Sequence, residues 1–215
     1  MIRVFIADDH TLMRDGLRQI VAAGGDMVVA GEARDGFETL AAVRTGSYDL
    51  LLLDMSMPGR SGVDLIKQIK SESPRLPILV LSMHKEDEYA VRTIRAGASG
   101  YLCKDSASQQ LLNAIRKVAA GGNFISAEFA GDLAFGMIRK DDRPLHAALS
   151  DREFQILRLL SAGAAGLAIA QQLNISAKTV STYKTRILQK LQIDSTADLI
   201  RYAMKHQLLD DTQGR

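Results

Sequence analysis

The sequence predicts an α/β protein: a doubly wound, five-stranded parallel sheet in the order 2-1-3-4-5, followed by an all-α domain. Three observations carry this. Residues 50–53 are four leucines in a row, ended by Asp54 and a Pro58-Gly59 turn, as in a strand buried on both faces of a parallel sheet. Up to residue 121, five strand-like runs alternate with five helix-like runs. From Leu149 onward only the helical pattern remains.

The elements follow in order. Residues 2–7 form an apolar run suited to a first strand. Residues 11–23 place Leu12, Leu17, Ile20 and Val21 at helical spacing and stop at Gly24-Gly25. A second strand is predicted over 27–30 and a second helix over 35–44, ended by Gly46. The leucine run is the third strand. Val63, Ile66 and Ile69 mark a third helix, ended near Pro74. The fourth pair is 77–81 and 86–96, closed by Gly97. The fifth is 99–102 and 106–120, stopped by Gly121-Gly122. Residues 122–148 mix Ala, Gly and charged side chains and read as a linker, with one helix over about 126–138. In residues 149–215, Ser150 to Glu153 is a capping box that opens a helix through Phe154, Ile156, Leu157 and Leu160. A short helix over 167–173, a tight Asn174-Ile175-Ser176 connection, a longer helix from Ser176 to 191 and a last one over 195–205 complete the chain.

Composition narrows the function classes. The chain is 47% hydrophobic and 24% charged, as in ordinary globular proteins. It has no apolar run long enough for a membrane span. The first ten residues, MIRVFIADDH, read as a strand rather than a signal peptide. Cys103 is the only cysteine, so no intramolecular disulfide forms and a reducing cytoplasm is expected. Residues 1–121 hold 15 basic and 15 acidic side chains, whereas 150–215 hold 9 and 6. Lys178, Lys184, Arg186 and Lys190 have no acid among them over 178–190. A polyanion partner is therefore expected for the second half alone.

In a sheet of order 2-1-3-4-5, ligands bind beyond the carboxyl ends of the strands at the switch point. Asp8 and Asp9 follow strand one, Asp54 strand three, Ser82 strand four and Lys104 strand five. Three clustered carboxylates repel unless a cation sits among them, and oxygen ligands suit Mg²⁺. Lys104 and Ser82 are suited to an anion beside it. Together they describe phosphoryl transfer onto an aspartate.

The motifs IADDH, LLLDMSMPGRSG, LSMH and GYLCKD, in that order and spacing, resemble the response-regulator receiver domain over residues 1–121. The resemblance implies that Asp54 is the phosphoacceptor. It implies that Asp9 binds Mg²⁺ directly, Asp8 largely through water, and Ser56 through its backbone carbonyl. Lys104 would pair with the phosphoryl group, Ser82 would hydrogen-bond it, and Tyr101 would be the aromatic that changes rotamer. His10 and His84 flank the cleft, but the preference of hard Mg²⁺ for oxygen leaves neither an expected ligand. Cys103 is expected to be inert core.

In the second half, a short helix, a tight turn and a basic longer helix form the arithmetic of a helix-turn-helix. LSDREFQILRLLSAG and IAQQLNISAKTVSTYKTRILQKLQI resemble the LuxR-type helix-turn-helix of the NarL/FixJ family over about 149–209. By that resemblance Ser181, Thr182 and Thr185 face base edges. Lys178, Lys184, Arg186 and Lys190 mostly meet phosphates. Two features depart from the family pattern. Gly166-Leu167 stands where a polar residue and a lysine are usual, and hydroxyls occupy base-reading positions where relatives often carry lysine.

The reading is a two-component transcriptional response regulator rather than an enzyme, with at most slow autodephosphorylation. A sensor histidine kinase would phosphorylate Asp54. The active form would be a homodimer on double-stranded promoter DNA, with the last helix as dimer contact. The alternative is a DNA-binding regulator controlled by a ligand or partner without phosphorylation. An aspartate-nucleophile phosphatase of the haloacid-dehalogenase type would need a D-x-D pair after strand one, where this chain has Asp8-Asp9.

Overall fold

The computed structural model describes residues 1–55, 57, 62–82, 88–125, 144–206 and 208–209. The chain divides into two compact units, 1–135 and 136–215.

The first unit contains β1 (Ile2–Ala7), α1 (Thr11–Ala23), β2 (Met27–Ala33), α2 (Gly36–Thr45), β3 (Leu50–Asp54), α3 (Gly62–Glu72), β4 (Ile78–Ser82), α4 (Glu88–Arg95), β5 (Gly100–Cys103) and α5 (Ser108–Ala119). The sheet order is β2-β1-β3-β4-β5, and every ladder is parallel. This is the predicted topology. All five residues of β3 and of β4 are buried, because helices cover both faces of a parallel sheet. One face packs Val4, Ile6, Leu50, Leu52, Leu79 and Leu81 against Leu17 and Val21 of α1 and Leu112, Ile115 and Val118 of α5. Each fully buried leucine stabilises by roughly 1.5–3 kcal/mol, so this layer holds the strand ends in register.

Three boundaries differ from expectation. β2 runs on to Ala33, with its pairing to β1 shifted between Val4 and Phe5. There a Cβ on Gly31 would stand 2.8 Å from the Phe5 ring. α5 starts at Ser108 rather than Ser106, because the Ser106 N–H closes a turn onto the Cys103 carbonyl at 3.0 Å. The first unit also continues past Gly121-Gly122. Phe124 bridges Gly100, and its carbonyl accepts the Tyr101 N–H at 3.0 Å. The expected linker 122–148 therefore begins with residues that extend the sheet, since the edge strand β5 has backbone groups left to pair. The helix expected at 126–138 lies outside the described residues.

In the second unit a 3₁₀ turn (Leu145–Ala148) precedes α6 (Asp151–Ser161), α7 (Gly166–Gln172), α8 (Ala177–Leu191) and α9 (Thr196–Lys205). The capping box is present in both directions. The Ser150 side chain accepts the Glu153 N–H, and Glu153 accepts the Ser150 N–H. Ser176 caps α8 by accepting the Thr179 N–H at 3.0 Å. The turn between α7 and α8 places Asn174 at φ 52°, a left-handed conformation that asparagine tolerates. Phe154, Ile156, Leu157, Ile169, Ile187 and Leu199 form the core. No helix among the described residues is long and apolar enough to cross a membrane.

Candidate functional site

Parallel pairing brings the carboxyl ends of β1, β3, β4 and β5 to one edge. Ala7 pairs with Leu53, Asp54 with Leu81 and Ser82 with Cys103. Asp8, Asp54, Ser82 and Lys104 therefore converge, as the strand order predicts. Asp8 and Asp54 are only 1% and 2% exposed. The Lys104 Nζ lies 2.7 Å from Asp8 Oδ2 and 3.0 Å from Asp54 Oδ1. Asp8 Oδ1 accepts the His10 N–H at 2.8 Å.

One support of this cleft escapes sequence reading. Arg14, buried on α1, donates from Nη1 to the Asp8 carbonyl at 2.7 Å. The only signal for it was its place on the helix face that also buries Leu17 and Val21.

The electrostatics are unbalanced. Burial raises the Asp54 carboxyl above its usual range; Lys104 opposes this, while Asp8 and Asp9 add to it. Burial alone would lower the Lys104 ammonium, but Asp54 and Asp8 outweigh it and hold the amine above its usual value. Among the described residues, Lys104 thus stays charged without compensating Asp8, Asp9 and Asp54. Two oxygens confirm the deficit: Asp54 Oδ2 and Asp9 Oδ1 are buried without a hydrogen-bond partner. Asp9 Oδ1 does lie 3.0 Å from His10 Nδ1, but this approach lacks hydrogen-bond geometry. One potential ligand atom from each of Asp8, Asp9, His10 and Asp54 lies within 4.8 Å of all the others. Clustered carboxylates with orphaned oxygens fit a divalent cation.

The remaining predicted residues vary in what can be placed. Ser82 is buried at the end of β4, and its carbonyl accepts the Lys104 N–H at 2.7 Å. Tyr101 is wholly buried. Ser56 and His84 lie outside the described residues. Cys103 is not core: as the last residue of β5 it is half-buried and lines an apolar cleft of ≈ 360 Å³ with Leu12, Met13, Leu17 and Leu111.

On α8, Val180, Ile187 and Leu191 face inward, and Lys178, Ser181, Thr182, Thr185 and Arg186 are exposed. These five form the outward surface that the helix-turn-helix pattern requires. Their hydroxyls are not idle: Ser181, Thr182 and Thr185 donate to the carbonyls of Ala177, Lys178 and Ser181 at 3.0–3.1 Å. Each then presents acceptor lone pairs outward until the hydroxyl rotates.

Two lysines of the expected set differ from Lys178 and Arg186 in their surroundings. Lys184 is half-buried, because it stands four residues from Val180 and three from Ile187, on the edge of the inward stripe. Lys190 Nζ lies 2.6 Å from Glu153 Oε2, a carboxylate whose side chain is only 5% exposed. Its charge is neutralised within the fold. A pair 37 residues apart leaves no local sequence signal. Leu167 is 65% exposed, as expected where Gly166-Leu167 replaces a polar residue and a lysine.

Residues 4–116 match the family model of the response regulator receiver domain. Residues 147–203 match that of the bacterial regulatory proteins of the luxR family. The response regulator UvrY of Escherichia coli (strain K12) is 37% identical over 210 residues, covering 97% of this chain and 96% of UvrY. RcsB from Salmonella enterica serovar Typhimurium, bound to promoter rprA in the presence of phosphomimetic BeF3−, is similar in structure. Its TM-score is 0.67 at 29% identity, over 94% of this chain and 97% of that one. A structure of two RcsB dimers bound to two parallel DNAs gives a TM-score of 0.59 at 29% identity, over 94% and 98%.

Proposed function

The chain belongs to the two-component response regulators that join a receiver domain to a LuxR-type DNA-binding domain, and from that premise we propose that phosphorylation of Asp54 controls its binding to promoter DNA. The observation that supports this best is the buried carboxylate cluster, which among the described residues is compensated by Lys104 alone. Asp54 Oδ2, buried and without a hydrogen-bond partner, is the nucleophile. Lys104, already 3.0 Å from Asp54 Oδ1, pairs with the phosphoryl group once it is attached. Ser82 hydrogen-bonds a phosphoryl oxygen from the neighbouring strand end, and Tyr101 is the aromatic that follows it.

Asp8, Asp9 and Asp54, with the Ser56 carbonyl, would hold Mg²⁺, whose charge offsets that of the carboxylates and the incoming phosphoryl group. Asp9 presents an orphaned oxygen for direct ligation. Asp8, already engaged by Lys104 and by the His10 N–H, acts mainly through water. The phosphodonor in the cell is a sensor histidine kinase, and the protein itself does no more than dephosphorylate slowly.

The receiver function resides in residues 1–121, extended by Phe124, with a linker up to 148 and the DNA-binding domain over 149–215. Phosphorylation favours a homodimer on double-stranded DNA, in the cytoplasm. The RcsB complexes, with promoter DNA, a phosphomimetic and dimers, support this reading. Lys178 and Arg186 meet phosphates, with Lys184 and Lys190 contributing from the flanks of α8. Ser181, Thr182 and Thr185 face the bases. α9, with Met204 63% exposed, supplies the dimer contact.

The test is intact-mass measurement after incubation with a small phosphodonor and Mg²⁺, with promoter binding followed in parallel. One phosphoryl group should be gained, and Asp54→Asn should gain none. Full labelling of that variant would remove Asp54 from the role. Promoter binding that ignores the phosphodonor would favour control by a ligand or partner.

A further inference from the structure

We propose that His10 is a nitrogen ligand in the acidic cleft, so that this receiver binds transition-metal divalent cations, Ni²⁺ more tightly than Mn²⁺, with four side chains rather than three. The proposal rests on the metal-binding reading of Asp8, Asp9 and Asp54 and adds a ligand to it.

The geometry is that of donors around one ion. Two ligands at right angles, each about 2.1 Å from a cation, stand about 3.0 Å apart, and opposite ones about 4.2 Å apart. His10 Nδ1 lies 3.0 Å from Asp9 Oδ1 and 3.3 Å from Asp8 Oδ1. One potential ligand atom from each of Asp8, Asp9, His10 and Asp54 lies within 4.8 Å of the others. A second observation points to an ion independently: Asp54, 2% exposed, keeps Oδ2 without a hydrogen-bond partner.

The backbone sets the ring in place. His10 is the residue before the first turn of α1, in extended conformation at φ −86° and ψ 112°, and its side chain makes no capping hydrogen bond. Its own N–H is fixed on Asp8 Oδ1 at 2.8 Å, which holds the ring beside the carboxylates. The ring is 68% exposed, and its Nδ1 lies toward the cluster.

Chemistry then separates the cations. Mg²⁺ prefers oxygen and retains its waters, so the imidazole adds little to its binding. Imidazole favours Ni²⁺ and its neighbours, and affinity at a mixed nitrogen and oxygen site rises from Mn²⁺ to Ni²⁺.

The experiment uses the full chain, freed of metal with a chelator. Mg²⁺ and Ni²⁺ are titrated calorimetrically into wild type, His10→Ala and Asp54→Asn, and Mn²⁺ complexes are examined by pulsed electron paramagnetic resonance for coupling to nitrogen. His10→Ala should lose at least about tenfold in Ni²⁺ affinity while Mg²⁺ affinity stays within about twofold. The Mn²⁺–nitrogen coupling of the wild type should vanish in that variant. Equal loss for both ions, unchanged Ni²⁺ affinity, or nitrogen coupling that survives His10→Ala would overturn the ligand assignment. Asp54→Asn tests the underlying reading separately: it should weaken both ions, and if it weakens neither, the carboxylate site itself is wrong.

Discussion

Each half of the chain buries a carboxylate against a lysine, and the two carboxylates respond in opposite ways. Asp54 is raised above its usual range, with burial as the main cause. Glu153 is held below its usual range: burial pushes it up, but the hydrogen bonds from Lys190 and Ser150 prevail. The difference lies in the number of partners. Lys104 is shared by Asp8 and Asp54, with Asp9 beside them. Glu153 accepts from Lys190 and the Ser150 N–H at 2.6 and 2.7 Å, and no second carboxylate among the described residues pairs with that lysine. An under-compensated cluster is poised to accept a cation and an electrophile, and it costs stability. A fully compensated carboxylate fastens α6 to α8 and is chemically inert.

The largest effect should come from removing the cation that the cluster implies. Chelation of Mg²⁺, or Asp9→Ala, should cut phosphoryl uptake at least about a hundredfold, read as the rate of mass gain with a small phosphodonor. Uptake that persists in chelator would show that Lys104 alone suffices, and the contrast between the two carboxylates would lose its functional meaning.

Next in size is the compensated side. Lys190→Ala leaves Glu153 buried with only its Ser150 contacts and should destabilise the second unit by about 1–2 kcal/mol, a value lowered because the lysine is partly exposed. Urea unfolding of the full chain measures it. The pH dependence follows from the sign: folding lowers the Glu153 carboxyl below its usual 4.5. Its contribution is therefore present above that pH and lost as pH falls through the folded value. An acid-side loss of stability that is smaller in Glu153→Gln than in wild type would bear this out, the remainder belonging to Asp198, which is also held below its usual range.

The uncompensated side predicts the reverse, with a smaller size. Folding raises the Asp54 carboxyl above its usual 3.8, so the ionised form costs stability. The cost grows as pH rises from 3.8 through the folded value and persists at neutral pH. Asp54→Asn in chelator should thus stabilise the first unit and raise its melting temperature. A lower melting temperature would mean that the Lys104 pairing outweighs burial.

The smallest effects concern DNA. Lys178→Ala should weaken all duplexes alike and reduce the salt slope by about one unit. Lys190→Ala should reduce it less, because its charge is held by Glu153. Thr182→Ala should alter base preference by under about 1 kcal/mol, less than the loss of a bidentate contact, and leave the slope unchanged. Equal salt slopes for Lys178→Ala and Lys190→Ala, measured by titration of labelled duplexes, would show that the pair to Glu153 opens on DNA.

Patterns with a short period determine themselves in sequence. The leucine run of β3, the spacing of Leu12, Leu17, Ile20 and Val21 in α1, and the Ser150-to-Glu153 box each lie within a few residues, so the elements were legible. Strand order followed from five alternations and placed Asp8, Asp54, Ser82 and Lys104 at one edge. Only the tertiary structure decided how the charges at that edge are shared, that Arg14 holds the Asp8 carbonyl, and that Nδ1 of His10 turns toward the carboxylates. It also decided that Lys190 serves Glu153, that Lys184 borders the core of the second unit, and that Phe124 extends the sheet beyond Gly122. These depend on distances between segments far apart in the chain, and on which groups packing has removed from water. An amino-acid sequence carries the type of each charge, whereas the strength of a charge pair depends on separation and burial, which exist only once the chain has folded.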